Sequence, residues 1–189
     1  DLAVWSDELF HQFHQERGWR RWKLQEEWEQ VEAMKAAPAK QKSWQDIRHV
    51  FLYPVFKESY EVMEASVRAC LSSNYPKDKI MVILTVEARG GEQVAESARR
   101  VCAEHQSAFW EFMVTVHPDE PDGKRKGANG HWAGKILQKY CDENNIPYDD
   151  VIVHYFDADT LPHREYLPCV TYQYIMNEER TFRSYQPIP

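Results

Sequence analysis

The sequence predicts an α/β fold of the Rossmann-like kind, a three-layer sandwich around a mostly parallel central sheet, preceded by a helical segment. Three observations carry this. From Arg48 onward, apolar runs of strand length recur. Helix-like stretches of a dozen or so residues separate them, as βαβ units require. Crossovers between parallel strands are right-handed, so such helices cover both faces of the sheet.

The elements follow in order. HVFLYPVF (His49 to Phe56) reads as a strand and YEVMEASVRACLS (Tyr60 to Ser72) as a helix. KIMVILTV (Lys79 to Val86) is the second strand and EQVAESARRVCAEH (Glu92 to His105) the second helix. FWEFMVTV (Phe109 to Val116) is the third strand, and a Gly/Lys loop leads from it into a helix over about Asn129 to Glu143. VIVHYF (Val151 to Phe156) is the fourth, followed by a helix over about Arg164 to Asn177 and a short strand, TFRSY (Thr181 to Tyr185).

Ahead of this alternation, Asp7 to Met34 is rich in Glu, Gln, Arg and Trp. Apolar side chains at Phe10, Phe13, Trp19, Trp22, Trp28 and Val31, several of them three apart, fit a helix with one apolar stripe, broken at Gly18. Pro38, within AAPAKQK, reads as a linker. The tryptophans admit a membrane-interface contact or packing within the protein, and the interleaved acids favour packing. Residues 1–45 therefore read as a helical extension and 46–189 as the main domain.

The 189 residues, 43% hydrophobic and 13% aromatic, suit a compact domain burying roughly 70% of its unfolded surface. A net charge of -7 excludes a sequence-independent grip on nucleic acid, though a local basic patch suffices for a phosphate. Cys70, Cys102, Cys141 and Cys169 contain no CxxC pair, which argues against a zinc ribbon or redox dithiol and for reduced thiols. There is no signal-peptide pattern and no apolar run of ~20 residues. A start at Asp1 and a stop at SYQPIP suggest a piece of a longer protein, whose other parts can include membrane segments.

In a parallel sheet the residues just past each strand share one rim, where ligands bind. Here the strand ends carry Lys57 and Glu58, Glu87 and Arg89, the loop from His117 to Asn129, and Asp157 and Asp159. The third loop adds Lys124, Arg125 and Lys126 between Gly123 and Gly127. Acids beside a basic glycine loop suit a site that takes a metal and phosphates together. In a turn after Phe156, the two aspartates can share a hard cation, Mg2+ or Mn2+, which prefers oxygen ligands. Other signatures fail. GANGHWAGKI has Asn129 where a P-loop needs Gly and Ile136 where it needs Ser or Thr. His117, His131, His154 and His163 have no helical HxxxH spacing, and none is assigned to a metal.

Taken together, YPVFKES (Tyr53 to Ser59) with its Pro-x-x-x-Glu turn, LTVEARGG (Leu84 to Gly91), GKRKGAN (Gly123 to Asn129) with Lys-Gly-x-Asn, and FDADT (Phe156 to Thr160) with Asp-x-Asp resemble family 2 glycosyltransferases. These are inverting enzymes that use nucleotide sugars. The resemblance covers about Arg48 to Pro189 and implies a glycosyltransferase A-type fold. It implies that Pro54, Phe56 and Glu58 line a nucleoside pocket and that Glu87 hydrogen-bonds the base. Lys126 and Asn129 would approach the ribose or diphosphate. Asp157 would contact the ribose or sugar side, and Asp157 with Asp159 would bind the cation bridging the diphosphate. The partner implied is a nucleotide-diphosphate sugar, a UDP-sugar ahead of a GDP-sugar, with a lipid or polysaccharide as candidate acceptor. The setting implied is a cytoplasmic domain of a membrane-associated parent.

Two departures stand out. Glu87 replaces the family's usual aspartate, and the later segment that supplies the catalytic base is absent, so the chain reads as a donor half with little transferase activity of its own. FDADTLP also fits the nucleophile motif of haloacid-dehalogenase-type phosphatases, but that motif belongs at a first strand and needs acids further downstream. A non-catalytic nucleotide-binding or interaction module is the third reading, and it predicts no cation-dependent affinity for nucleoside diphosphates.

Overall fold

The computed structural model of the chain describes residues 2–36, 42–118, 126–177 and 179–185. The expected linker at Pro38 and the basic residues Lys124 and Arg125 lie outside them. The chain divides into two compact units, residues 46–169 and residues 1–45 together with 170–189.

The first unit is built on four parallel strands, β1 (Arg48–Val55), β2 (Ile80–Glu87), β3 (Glu111–His117) and β4 (Val151–Tyr155), in the order β3-β2-β1-β4. Helices α3 (Tyr60–Leu71) and α4 (Glu92–His105) cover one face and α5 (Lys126–Glu143) the other. Phe51, Tyr53 and Val55 of β1 turn toward α3 and α4 with Val82, Leu84 and Val86 of β2. Val50 and Leu52 turn toward α5 with Met81 and Ile83. All eight residues of β2 are buried. That two-sided burial is why the strand reads as a continuous apolar run instead of an alternation.

The strand order has a consequence the sequence could not supply. The chain steps outward from β1 to β2 to β3, then returns across the sheet through α5 to lay β4 on the far side of β1. The direction of winding therefore reverses between β1 and β4, and the carboxyl ends of those two strands flank the crevice where open α/β sheets bind ligands.

In the second unit, α1 (Leu2–Gln15) and α2 (Trp19–Ala36) form a hairpin, reversed at Gly18, whose φ of +68° favours glycine. Leu9 and Val31 close its core with Leu24, Trp28, and Tyr172 and Met176 from the end of α6 (Tyr166–Met176). Ser6 hydrogen-bonds Glu32, and the Phe10 and Trp28 rings sit 5.4 Å apart. The single apolar stripe expected from the sequence is split. Trp28 and Val31 pack inward, whereas Trp19 and Trp22 are exposed, because Trp28, nine residues after Trp19 at about 3.6 residues per turn, lies on the opposite face of α2.

The expected strand Thr181 to Tyr185 does not form. Arg180–Phe182 make a 3-10 turn and residues 183–185 are irregular. A run of β-formers becomes a strand only beside a neighbour that completes its hydrogen bonds, and among the described residues this segment joins no sheet.

Candidate functional site

The turn after β1 is held by its own acid. Glu58 Oε2 accepts hydrogen bonds from the Phe56 N–H at 2.6 Å and the Lys57 N–H at 3.0 Å. The Phe56 ring has the Arg89 guanidinium 4.5 Å from its centre and the Lys57 ammonium 4.9 Å away, both cation–π contacts. Pro54 is half-buried, in register with Thr85 of β2. A Cβ on Gly90 would lie 2.0 Å from the Phe56 carbonyl oxygen, so only glycine allows the two strand ends to meet this closely.

At the end of β2, Glu87 is buried and paired with Arg89 at 2.5 Å. Its charge also reaches the Tyr155 hydroxyl at the end of β4. Burial first, and the Glu87 carboxylate second, raise the Tyr155 pKa. Asn129, in the first turn of α5, is fully buried and donates from Nδ2 to the Thr85 carbonyl at 2.7 Å. Among the described residues its Oδ1 has no hydrogen-bond partner. This bond sets the amino end of α5, which starts at Lys126, beside the carboxyl end of β2, and the amino end of a helix suits an anion. Gly130 lies against Tyr155, whose ring a Cβ there would meet at 2.8 Å. The Lys126 side chain lies outside the described residues.

The aspartates sit in a turn beyond β4. Phe156 N–H donates to the Leu52 carbonyl at 3.1 Å, extending the pairing with β1, and Thr160 N–H closes the turn onto the Asp157 carbonyl at 2.9 Å. Between them Ala158 is buried, its carbonyl accepting the Ser66 hydroxyl of α3 at 2.6 Å. The middle residue is thus anchored in the core, and the carboxylates on either side, Asp157 and Asp159, are exposed. Two exposed oxygen donors on a fixed turn fit a hard cation such as Mg2+ or Mn2+, which retains waters or takes substrate oxygens for its other positions.

The strand ends thus bring together Pro54, Phe56, Glu58, Glu87, Asn129, Asp157 and Asp159, but give them different surroundings. Glu58 and Glu87 already have oxygens engaged, Asn129 is internal, and the two aspartates face solvent. Elsewhere, Glu64, Glu104 and His105 have ligand-type atoms within 4.8 Å of one another, the one such trio among the described residues. Arg68 pairs with Glu64 at 2.7 Å and Arg100 with Glu104 at 2.9 Å, so this trio is part of an ion-pair network linking α3 and α4.

One constellation escaped the sequence reading. His49 Nδ1 and His154 Nε2 are hydrogen-bonded at 2.8 Å, and His154 Nδ1 meets the Tyr166 hydroxyl at 2.9 Å. Both histidines are buried, His49 near the start of β1 and His154 on the adjacent β4. Burial lowers the pKa of His154 to about 3, and burial followed by the neighbouring His154 charge lowers that of His49. The available signal was a polar residue at an inward position of each of two apolar strands.

No protein-family model matches the sequence, and no curated protein matches it. Among solved structures, the chain is similar to the mannosyltransferase PcManGT from Pyrobaculum calidifontis in complex with GDP-Man and Mn2+. The TM-score is 0.45 at 18% identity, over 91% of this chain and 44% of that one. This chain thus spans less than half of that protein's length. A likeness of this size carries no inference about activity.

Proposed function

We propose that residues 46–189 are the donor-binding part of an inverting family 2 glycosyltransferase that uses a nucleotide-diphosphate sugar, with residues 1–45 as a helical extension. The observation that carries the reading is the Asp157-Ala158-Asp159 turn, pinned through Ala158 at the carboxyl end of β4, beside β1, where the winding of the sheet reverses. On this reading Asp157 and Asp159 hold Mg2+ or Mn2+. When bound, the cation supplies positive charge to the diphosphate of the leaving nucleotide.

The chain's own groups divide the remaining work. The Phe56 edge, with Pro54 and the Glu58-held turn, forms the nucleoside wall. Glu87, a buried acceptor beside Arg89, suits the N–H groups of a base. The amino end of α5, with Lys126, suits a phosphate, and Asn129 fixes that end to β2. No residue is assigned as the base that activates the acceptor, for which a lipid or polysaccharide is the candidate class. The reading carries a membrane-associated, cytoplasmic setting. Among the described residues no helix is long and apolar enough to cross a membrane.

Calorimetric titration with UDP and with GDP, with and without Mn2+, tests the reading. The wild type is expected to bind one of them only with the metal, and Asp159→Ala to weaken binding ten- to a hundredfold, as expected on removing a charged contact of about 1.5–3 kcal/mol. No binding of either nucleotide, or binding indifferent to Mn2+, would exclude it. A solvated acidic rim gives the same flat titration.

A further inference from the structure

We infer that the closed end of the α1–α2 hairpin is a docking surface for an anionic lipid bilayer. The seven residues RGWRRWK, Arg17 to Lys23, carry four cations and no acid in a chain of net charge -7. Glu16 directly precedes the run and lies 4.0 Å from Arg20 in an exposed pair, and acids resume only at Glu26. All seven residues are exposed. The hairpin's packing, from Leu9 against Val31 to Phe10 against Trp28, lies toward the open end and leaves the turn bare.

Two features of this turn are unfavourable for a surface that meets only water. Trp19 is 72% exposed and Trp22 67% exposed. Three residues apart on α2, the two indoles project from one side of the helix. The second feature is electrostatic. The first turn of α2 contains no acid but carries Arg20 and Arg21, with Lys23 directly after it. A helix amino end carries partial positive charge and is stabilised by acids, so cations there oppose the helix. An anionic surface removes both penalties at once. Indole rings settle at the headgroup level of a bilayer, and lysines and arginines near anionic lipids are attracted through the surface potential. The contact is peripheral, since neither helix of the hairpin is apolar enough to span. It stands independently of the nucleotide-sugar reading.

The test uses the whole chain in vesicle flotation, with phosphatidylcholine alone and with added phosphatidylglycerol, at low and high salt. The wild type is expected to float only with the anionic vesicles and to be released by salt. Arg20→Gln with Arg21→Gln should weaken binding roughly 25-fold, about fivefold per cation. Trp19→Ser with Trp22→Ser should also lose it, while Trp44→Ser, an exposed tryptophan outside the hairpin, should not. Circular dichroism of each variant establishes that the helices persist. The inference is overturned if the wild type ignores anionic vesicles, floats equally with neutral ones, or binds normally in both double variants. Tighter capture of a single-stranded oligonucleotide than of the vesicles would overturn it in favour of nucleic acid.

Discussion

Acidification from about pH 7 to about pH 5 should destabilise the sheet unit through His49 and His154, because the fold keeps both rings neutral while the unfolded chain protonates them. The direction follows from the lowered folded pKa values. A depressed histidine pKa means that the unfolded state binds more protons below its own value of 6.5, so stability falls as pH drops through that value and goes on falling toward about 3 for His154. At about pH 5, roughly 1.5 units below the unfolded value, His154 alone withdraws about 2 kcal/mol, at 1.36 kcal/mol per pH unit. His49 adds to this in the same direction. Carboxylates whose pKa lies below the ordinary 4.5, such as Glu104 and Glu165, lose their contribution only as pH falls further, so they do not contaminate the window.

The assay is urea unfolding at both pH values for the wild type and for His154→Phe. The variant keeps a ring in the core but leaves His49 Nδ1 and the Tyr166 hydroxyl without their partner, a loss of about 1–3 kcal/mol at neutral pH. Its further loss on acidification should be smaller than the wild type's by about 2 kcal/mol. Parallel pH dependences in the two proteins would show that the buried pair does not set the acid sensitivity.

Two further predictions concern the scaffold of the rim. Gly90→Ala drives a methyl group into the Phe56 backbone, where no side chain can rotate away, and should lower stability by about 1–3 kcal/mol and weaken nucleotide binding; thermal melting with titration checks both. Ser66→Ala leaves the buried Ala158 carbonyl without its donor at about 1–3 kcal/mol, and should weaken Mn2+-dependent nucleotide affinity although no charged group has been removed. Unchanged affinity in Ser66→Ala would mean that the aspartate turn holds its shape unaided.

The four strands and the helices between them were legible because two-sided burial writes itself into sequence as apolar runs such as KIMVILTV. The order of the strands was not. It depends on where α5 returns the chain, and neighbours in a parallel sheet leave no local mark on one another. That order is what joins the end of β1 to the end of β4. The strand expected at Thr181 to Tyr185 failed for the complementary reason, since propensity says nothing of whether a pairing partner exists. At the rim, residue type and position were readable, but surroundings were not. The resemblance gave Glu58, Glu87 and the aspartates different roles, but not the backbone N–H groups that engage Glu58 or the Arg89 that pairs with Glu87.

That sorting of the rim acids has a physical basis. Four carboxylates on one edge repel one another, and each must be compensated or hydrated. Glu58 is compensated by two peptide N–H groups, which also fix the turn that carries Phe56. Glu87 is buried, where an unpaired charge is costly, and Arg89 lies 2.5 Å from it while stacking on that same Phe56 ring. Asp157 and Asp159 are exposed, on a turn whose position is set by the neutral, buried Ala158 between them. On the proposed reading, such a turn holds two negative charges in place before a cation arrives, so the attraction between a diphosphate-bound cation and this edge would not be diminished by reorganising the protein. The same logic makes the prediction for Ser66 sharper than that for Asp159. Removing a carboxylate weakens any cation site, whereas removing a distant hydroxyl weakens only one that depends on the turn being held.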